Sequence, residues 1–291
     1  MSVTIKVVTV TYNSSGVLEE FLASFAGAGV VPSEIVVVDN ASRDIEATRA
    51  IADRFGARVL PLAENVGYGS AMNRGVASGE PADYYLLVNP DLVFAPDSLS
   101  RLLAVAEETP MAGSLGPSIF NDDGTLYPSA RPLPSLGTGI GHALFSRAWP
   151  SNPWTRSYRS TLADGRPHAV GWLSGACLLT RRTVFERVHG FDERYFMYFE
   201  DVDLGRRIGL AGAQNLYVPA ARATHHGGHS TSGASASMDA AHHDSAYLYL
   251  SEVYSGPWLA PLRVALKAGL RVRAHWLTGR VRKAAADGLQ D

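Results

Sequence analysis

Tyr84-Tyr85-Leu86-Leu87-Val88-Asn89-Pro90-Asp91 is the stretch whose reading decides the fold. Five apolar residues run without a polar break, as in a strand covered on both faces. The run stops at Asn89-Pro90-Asp91, where Pro90 stiffens the turn. A strand that ends in a carboxylate puts that carboxylate on the rim of its sheet, within reach of a metal ion or a phosphate.

Toward the N-terminus the same texture recurs. Ile5 to Val10 is a β-branched run that breaks at the polar turn Thr11-Tyr12-Asn13-Ser14-Ser15-Gly16. Val17, Leu18, Phe21, Leu22 and Phe25 follow at helical spacing. Ile35 to Val38 is a second apolar strand, ending at Asp39-Asn40-Ala41-Ser42. A helix through Ala47, Ile51 and Phe55 comes next, then a short strand over 58–62. The loop Glu64-Asn65-Val66-Gly67-Tyr68-Gly69 leads into a helix near 70–77. Apolar strands separated by helices predict an α/β fold, a mostly parallel central sheet with helices on both faces. Such sheets bind ligands beyond the carboxyl ends of their strands. Tyr12-Asn13, Asp39-Asn40 and Asn89 to Asp91 therefore converge on one rim.

Toward the C-terminus the pattern changes near Phe120. Pro128, Pro132, Pro134, Gly137, Gly139, Gly141, Pro150 and Pro153 interrupt any regular element, which predicts an irregular lid or partner-binding insert. Regular signals resume with a strand over 170–179, a helix over 181–188, and a second carboxylate station at Glu200-Asp201-Val202-Asp203. A helix to Leu210 and a strand over 215–218 lead to His225-His226.

Bulk composition narrows the function classes. The chain has 291 residues, 46% of them hydrophobic, enough for a core without staples. A net charge of -2 gives no footprint for nucleic acid. Cys177 is the single cysteine, so there is no internal disulfide and no thiolate metal cage, and a reducing cytosol fits. No run reaches the roughly 18 apolar residues of a membrane span. A nucleotidyltransferase would need a basic, glycine-rich activation loop near the N-terminus, which is missing.

Each candidate group carries two readings. Asp39 can accept from a base imide or a ribose hydroxyl, or cap a helix. The Asn65 to Gly69 loop can cradle a phosphate, with Asn73 and Arg74 facing the same rim, or simply turn the chain; it matches neither common phosphate-binding glycine pattern. Asp91 can hold Mg²⁺ or Mn²⁺ together with a diphosphate, or cap the helix that starts near Ser98. The carboxylates at 200–203 can supply a general base with a tuned pKa, or ease a helix start through its dipole. His225-His226 can offer an imidazole ligand, or be a polar loop. The segment from Gly171 to Leu179 reads as a pocket wall.

Taken in order, these segments resemble the inverting family-2 glycosyltransferases of the GT-A fold. The matching stretches are Val8 to Asn13, Val36 to Ser42, Asn65 to Gly69, Asn89 to Asp91, Gly175 to Leu179, Gly190 to Glu193, Phe199 to Leu204, and His225. Within the family the chain is similar to rhamnosyltransferases acting on N-acetylglucosaminyl-diphospho-decaprenol. Tyr127 to Arg131, Asn152 to Trp154, Val170 to Gly175, Glu193 to Tyr198 and Ala241 to His243 carry that likeness.

The resemblance implies transfer of a sugar, L-rhamnose from dTDP-L-rhamnose, onto a polyprenyl-diphosphate-linked GlcNAc. The alternatives are another nucleotide sugar, or a non-catalytic nucleotide-sugar binder. It implies that Thr11, Tyr12, Asn13, Asp39, Asn40, Gly67, Tyr68, Asn73, Asn89 and Asp91 hold the donor nucleotide. Asn89 stands where the family often has the first aspartate of Asp-x-Asp, so Asp91 carries the metal role, with His225 as the further ligand and His226 the fallback. Asp201 corresponds to the catalytic base, with Glu200 its rival. Trp172, Ser174, Gly175 and Arg131 are expected to bind acceptor.

The expected division is a catalytic domain over 1–230: a donor half (1–118), an insert (119–169) and an acceptor and base half (170–230). A basic helical region follows over 231–291. There, Leu262, Leu266, Leu270 and Leu277 alternate with Arg263, Lys267, Arg271, Arg273, Arg280, Arg282 and Lys283. Such a helix either lies on a membrane surface or packs on the core with its basic face in water. The first option implies a cytoplasmic protein peripheral to the inner face of the plasma membrane.

Overall fold

The computed structural model describes residues 3–135, 165–227 and 235–269. The bulk of the predicted insert, including Asn152 to Trp154, lies outside the described residues, as do Leu270 to Lys283 of the basic region.

Alternating strands and helices build the first half. They are β1 (Ile5–Thr11), α1 (Ser15–Ser24), β2 (Glu34–Asp39), α2 (Ile45–Arg54), β3 (Arg58–Pro61), α3 (Tyr68–Ala77) and β4 (Tyr84–Val88). Short β5 (Leu92–Phe94), α4 (Ser98–Glu108) and long β6 (Ala112–Asn121) follow. The second half supplies β7 (Leu126–Tyr127), β8 (Ala130–Arg131), β9 (His168–Val170), β10 (Trp172–Leu173) and β11 (Cys177–Arg181). Then come α5 (Arg182–Arg187), α6 (Glu200–Leu210), β12 (Gln214–His225) and α7 (Ser235–Val253).

The main sheet runs β3-β2-β1-β4-β11-β6-β12-β5, with β7 on β6 and β9 on β12. The first four strands are parallel, so Thr11, Asp39 and Val88 all end at one rim. β11 enters antiparallel beside β4, pairing Cys177 with Val88. β6 and β12 restore a parallel pair, and β5 closes antiparallel against β12.

The period-2 alternation of the strands divides the core between two faces. Val7 and Leu86 point to the layer holding Leu18, Phe21, Leu99 and Leu102. Val8 and Leu87 point to the layer holding Met72, Phe185, Leu204 and Ile208. Each such side chain, fully buried, contributes about 1.5–3 kcal/mol of transfer free energy.

The predicted single strand over 170–179 is corrected to three short pieces. Gly171 breaks it, because the chain there passes so close to Leu133 that an added Cβ would lie 2.3 Å from the Leu133 nitrogen. β10 then leaves the main sheet to pair with β8, and Ser174 to Ala176 turn back toward β11. The strand expected over 215–218 extends to His225, because β12 continues past an irregularity after Val218 to pair with both β5 and β6.

Helix α7 reaches back to the second carboxylate station. Tyr249 of α7 is buried with Tyr195 and Val202, and its ring packs against Phe199. Ser245 donates to the carbonyl of Met197 at 2.8 Å. Among the described residues no helix is long and apolar enough to cross a bilayer.

Candidate active site

The rim formed by β1 and β2 is built by its own polar side chains. Asp39 is fully buried; one carboxylate oxygen accepts the Ser42 N–H at 2.9 Å and the other meets the Thr11 hydroxyl at 3.3 Å. Asn13, in a left-handed conformation, accepts the Arg43 N–H at 2.8 Å. Asn40 donates to Asn65 at 2.9 Å and accepts the Val66 N–H at 3.0 Å, which ties the end of β2 to the loop before α3. Tyr12 stands out from this group, with its side chain exposed at the mouth of the rim.

That loop depends on Gly67. Its φ is +85°, and an added Cβ would come 2.2 Å from the Phe196 carbonyl oxygen, so only glycine fits. The next residue, Tyr68, donates its backbone N–H to the same carbonyl at 3.0 Å. The loop that precedes α3 is thus docked on the segment that precedes α6.

Helix α6 starts under backbone strain. Tyr198 and Phe199 both take positive φ, of 67° and 66°, directly before Glu200. Bulky residues rarely adopt that region, and it is held here by packing from α7. The three carboxylates then separate by environment. Asp203 is buried and paired with Arg207 at 2.6 Å, and Arg207 in turn donates to the Gly190 carbonyl at 2.7 Å. Asp203 is therefore a brace between α6 and the preceding loop.

Asp201 accepts the Gly175 N–H at 2.9 Å and the Val202 N–H at 2.8 Å. Burial raises its carboxyl above the usual aspartate range, partly countered by those two hydrogen bonds. Glu200 is buried, and one of its oxygens has no hydrogen-bond partner among the described residues. Burial first, and the adjacent Asp201 charge second, push its carboxyl well above the ordinary range.

Asp91 follows β4 and meets His225 at the end of β12. Their Oδ1 and Nε2 atoms lie 3.0 Å apart, yet the approach is not aligned as a hydrogen bond and neither atom has another partner among the described residues. Two ligands at right angles on one ion, each about 2.1 Å from it, stand about 3.0 Å apart. The pair therefore fits a divalent cation. Among the described residues no third His, Cys, Asp or Glu joins them. His226 turns away, its imidazole engaged with Asp122 and its N–H bonded to the Asp91 carbonyl at 2.9 Å.

One short segment links the two stations. The Asn89 N–H donates to Ala176 O at 3.0 Å, while Gly175 N–H holds Asp201. The charges of Glu200, Asp201 and Asp91 all act on the Tyr68 phenol, whose pKa is raised chiefly by its own burial. The turn that carries Asp91 and the carboxylate of Asp201 are thus tied to two adjacent residues, Ala176 and Gly175, and His225 stands against Asp91.

Two expected ligand contacts, those of Asn73 and Ser174, are corrected. Asn73 does not face the rim, because its amide clasps the backbone of Phe191, donating at 2.8 Å and accepting at 2.9 Å. Ser174 is buried, its hydroxyl accepting the Ala176 N–H at 3.3 Å, and serves the turn. Asn40 is buried as a loop tether. Arg131 donates to Pro128 O at 2.7 Å and lies over Trp172, whose indole donates to Pro132 O at 3.1 Å; the two form a wall beside Asp201. The Asp203–Arg207 pair was readable as an i,i+4 couple on a helix. The Tyr68–Gly175 bond, described below, spans 107 positions and leaves no local signal.

Residues 6–188 match the family described as glycosyl transferase family 2. The chain is 46% identical over 285 residues to N-acetylglucosaminyl-diphospho-decaprenol L-rhamnosyltransferase of Mycobacterium tuberculosis, covering 94% of this chain and 93% of that protein. It is 34% identical over 172 residues to the rhamnosyltransferase WbbL of Escherichia coli, covering 56% of this chain and 62% of the other. Among solved structures, GalNAc-T7 with UDP, GalNAc and Mn²⁺ superposes with a TM-score of 0.58 at 16% identity, over 77% of this chain and 43% of that one. Staphylococcus aureus TarS 1-349 in complex with UDP gives 0.56 at 17% identity, over 92% and 70%. These two show the fold.

Proposed function

The chain belongs to glycosyltransferase family 2, and on that premise we propose that it transfers L-rhamnose, with inversion, from dTDP-L-rhamnose to a polyprenyl-diphosphate-linked GlcNAc. The observation that carries the chemistry is the segment 174–176, which fastens Asp201 on one side and the Asn89–Asp91 turn on the other. A proton acceptor and a diphosphate site so joined can serve the two ends of one displacement.

Asp201 takes the proton of the acceptor hydroxyl as its oxygen attacks the anomeric carbon. The bond from that carbon to the diphosphate breaks on the opposite face, and its electron pair leaves with the nucleoside diphosphate. Burial and the neighbouring Asp201 charge both raise the Glu200 carboxyl, which favours a neutral Glu200 beside an ionised Asp201. Asp91 and His225 would hold a divalent cation, Mn²⁺ or Mg²⁺, which supplies charge neutralisation for the departing diphosphate. Thr11, Asp39, Asn40 and Asn13 shape the nucleotide pocket, Tyr12 offers its exposed ring to the base, and Trp172 with Arg131 forms the acceptor wall.

The acceptor class also gives the C-terminal region a place. Trp258 and Val264 are exposed, and residues 260–269 are helical. With the basic residues from Arg263 onward, this end of the protein suits the surface of an anionic membrane. Co-sedimentation with anionic vesicles and not with neutral ones is the expected result.

The function is tested by incubating the purified protein with Mn²⁺, a GlcNAc-diphospho-prenol and a panel of nucleotide sugars. Rhamnosylated product from dTDP-L-rhamnose alone is expected. Product from a different donor keeps the family chemistry and discards the sugar assignment. Binding without product from any donor would leave a nucleotide-sugar binder.

A further inference from the structure

We infer that Tyr68 is a positioning residue for the proton acceptor: its hydroxyl fastens Gly175, whose N–H in turn holds the Asp201 carboxylate. The inference rests on the assignment of Asp201 as base. It replaces the expectation that Tyr68 contacts the donor nucleotide.

Tyr68 is the first residue of α3 and belongs by sequence to the donor half. Its side chain nonetheless crosses to the other half, where Oη donates to the Gly175 carbonyl at 2.7 Å. Its backbone N–H crosses too, to Phe196, four residues before Glu200. The ring packs edge-on against Phe191, in the loop that leads to α6.

Gly175 is enclosed between the two side chains. An added Cβ would lie 3.4 Å from the Asp201 Cβ and 3.5 Å from the Tyr68 Cε1. The peptide on one side of Gly175 gives its N–H to Asp201; the peptide on the other gives its carbonyl to Tyr68. Rotating either peptide breaks the contact which that peptide makes, and the two peptides share the Gly175 Cα. The next carbonyl, that of Ala176, is held by Asn89. With the Ala176 N–H on the Ser174 hydroxyl, four hydrogen bonds hold Gly175 and Ala176, and Tyr68 supplies the one that comes from a side chain at the start of α3.

Tyr68→Phe removes this hydroxyl and nothing else. The misplaced base should lower kcat roughly ten- to a hundredfold, while the KM for the donor stays within about twofold of wild type. Weakening the Gly175 N–H bond removes an interaction that favours ionised Asp201, so the acidic limb of the rate profile should move to higher pH. In an Asp201→Asn background the same substitution should barely change the residual rate, because it acts through the group already removed. Amide hydrogen exchange at Gly175 and Ala176 should quicken in Tyr68→Phe with no bound substrate.

A raised donor KM with unchanged kcat and pH limb would overturn the inference and return Tyr68 to the nucleotide. Unchanged exchange at Gly175 would also overturn it. If wild-type protein turns over no nucleotide sugar, the base assignment fails, while the exchange measurement still decides whether Tyr68 holds this segment.

Discussion

At the ends of β1 and β2, the side chains of Thr11, Asn13, Asp39 and Asn40 all find partners within the protein. By contrast, Glu200 Oε2, Asp91 Oδ1 and His225 Nε2 are buried without a hydrogen-bond partner among the described residues. The first region is a finished frame, and on the function proposed above a nucleotide enters it. The second is a set of polar atoms awaiting a proton, a cation or a substrate. Unsatisfied buried groups are costly, so they persist where a ligand completes them. The contrast teaches where the chemistry lies and predicts that substitutions on the two sides fail differently.

The largest effect is expected at Asp201. Asp201→Asn should lower turnover about 10²–10⁴-fold, while nucleoside diphosphate binding by calorimetry stays close to wild type. Weakened binding of similar size would blur the division between the two regions.

His225→Ala comes next. Loss of a direct ligand should weaken Mn²⁺-dependent donor binding by at least the roughly ten- to hundredfold typical of losing an outer-shell partner. His226→Ala should leave it nearly unchanged. Equal losses in both variants would contradict the pairing of Asp91 with His225 alone.

A third test uses pH. The folded chain raises Glu200 and Asp201, so it retains protons that the unfolded chain releases in the ordinary carboxylate range. Stability contributed by this pair is therefore full at low pH and is lost as pH rises through the raised values. Activity that needs ionised Asp201 should rise over the same window. Activity and melting temperature should thus move in opposite directions there. Glu200→Gln should flatten the stability slope; an unchanged slope in that variant would remove the pair as its source.

The smallest effect on turnover belongs to the finished frame. Asn40→Ala strips the tether from Val66 and Asn65 and should cost about 1–3 kcal/mol of stability. Thermal melts should register it, and saturating donor should largely restore the rate. Loss of kcat as large as that of Asp201→Asn would erase the contrast.

The sheet and its rim were legible in the sequence because Ile5 to Val10, Ile35 to Val38 and Tyr84 to Val88 are apolar runs that stop at polar turns. The stations at Asp91 and Asp201 were legible for the same reason, as carboxylates at abrupt ends of apolar stretches. The roles of Asn73, Ser174 and Tyr68 were not. A side-chain amide or hydroxyl carries no mark of whether it faces a ligand or a distant carbonyl; that depends on contacts such as Asn73 with Phe191, 118 positions apart. The positive φ of Tyr198 and Phe199 was hidden as well, since tertiary packing from α7 imposes it against their own preference.

The proposed convergence of Asp91, His225 and Asp201 on one crevice is tested directly with bound Mn²⁺ as a paramagnetic probe. With Mn²⁺ and a nucleoside diphosphate added, the amide resonances of Gly175 and Val202, whose N–H groups hold Asp201, should broaden strongly. The amides of Thr4 and Asp83, beyond the opposite ends of β1 and β4, should broaden far less. The broadening should vanish in His225→Ala. Sharp Gly175 and Val202 signals beside a saturated metal site would contradict a shared crevice.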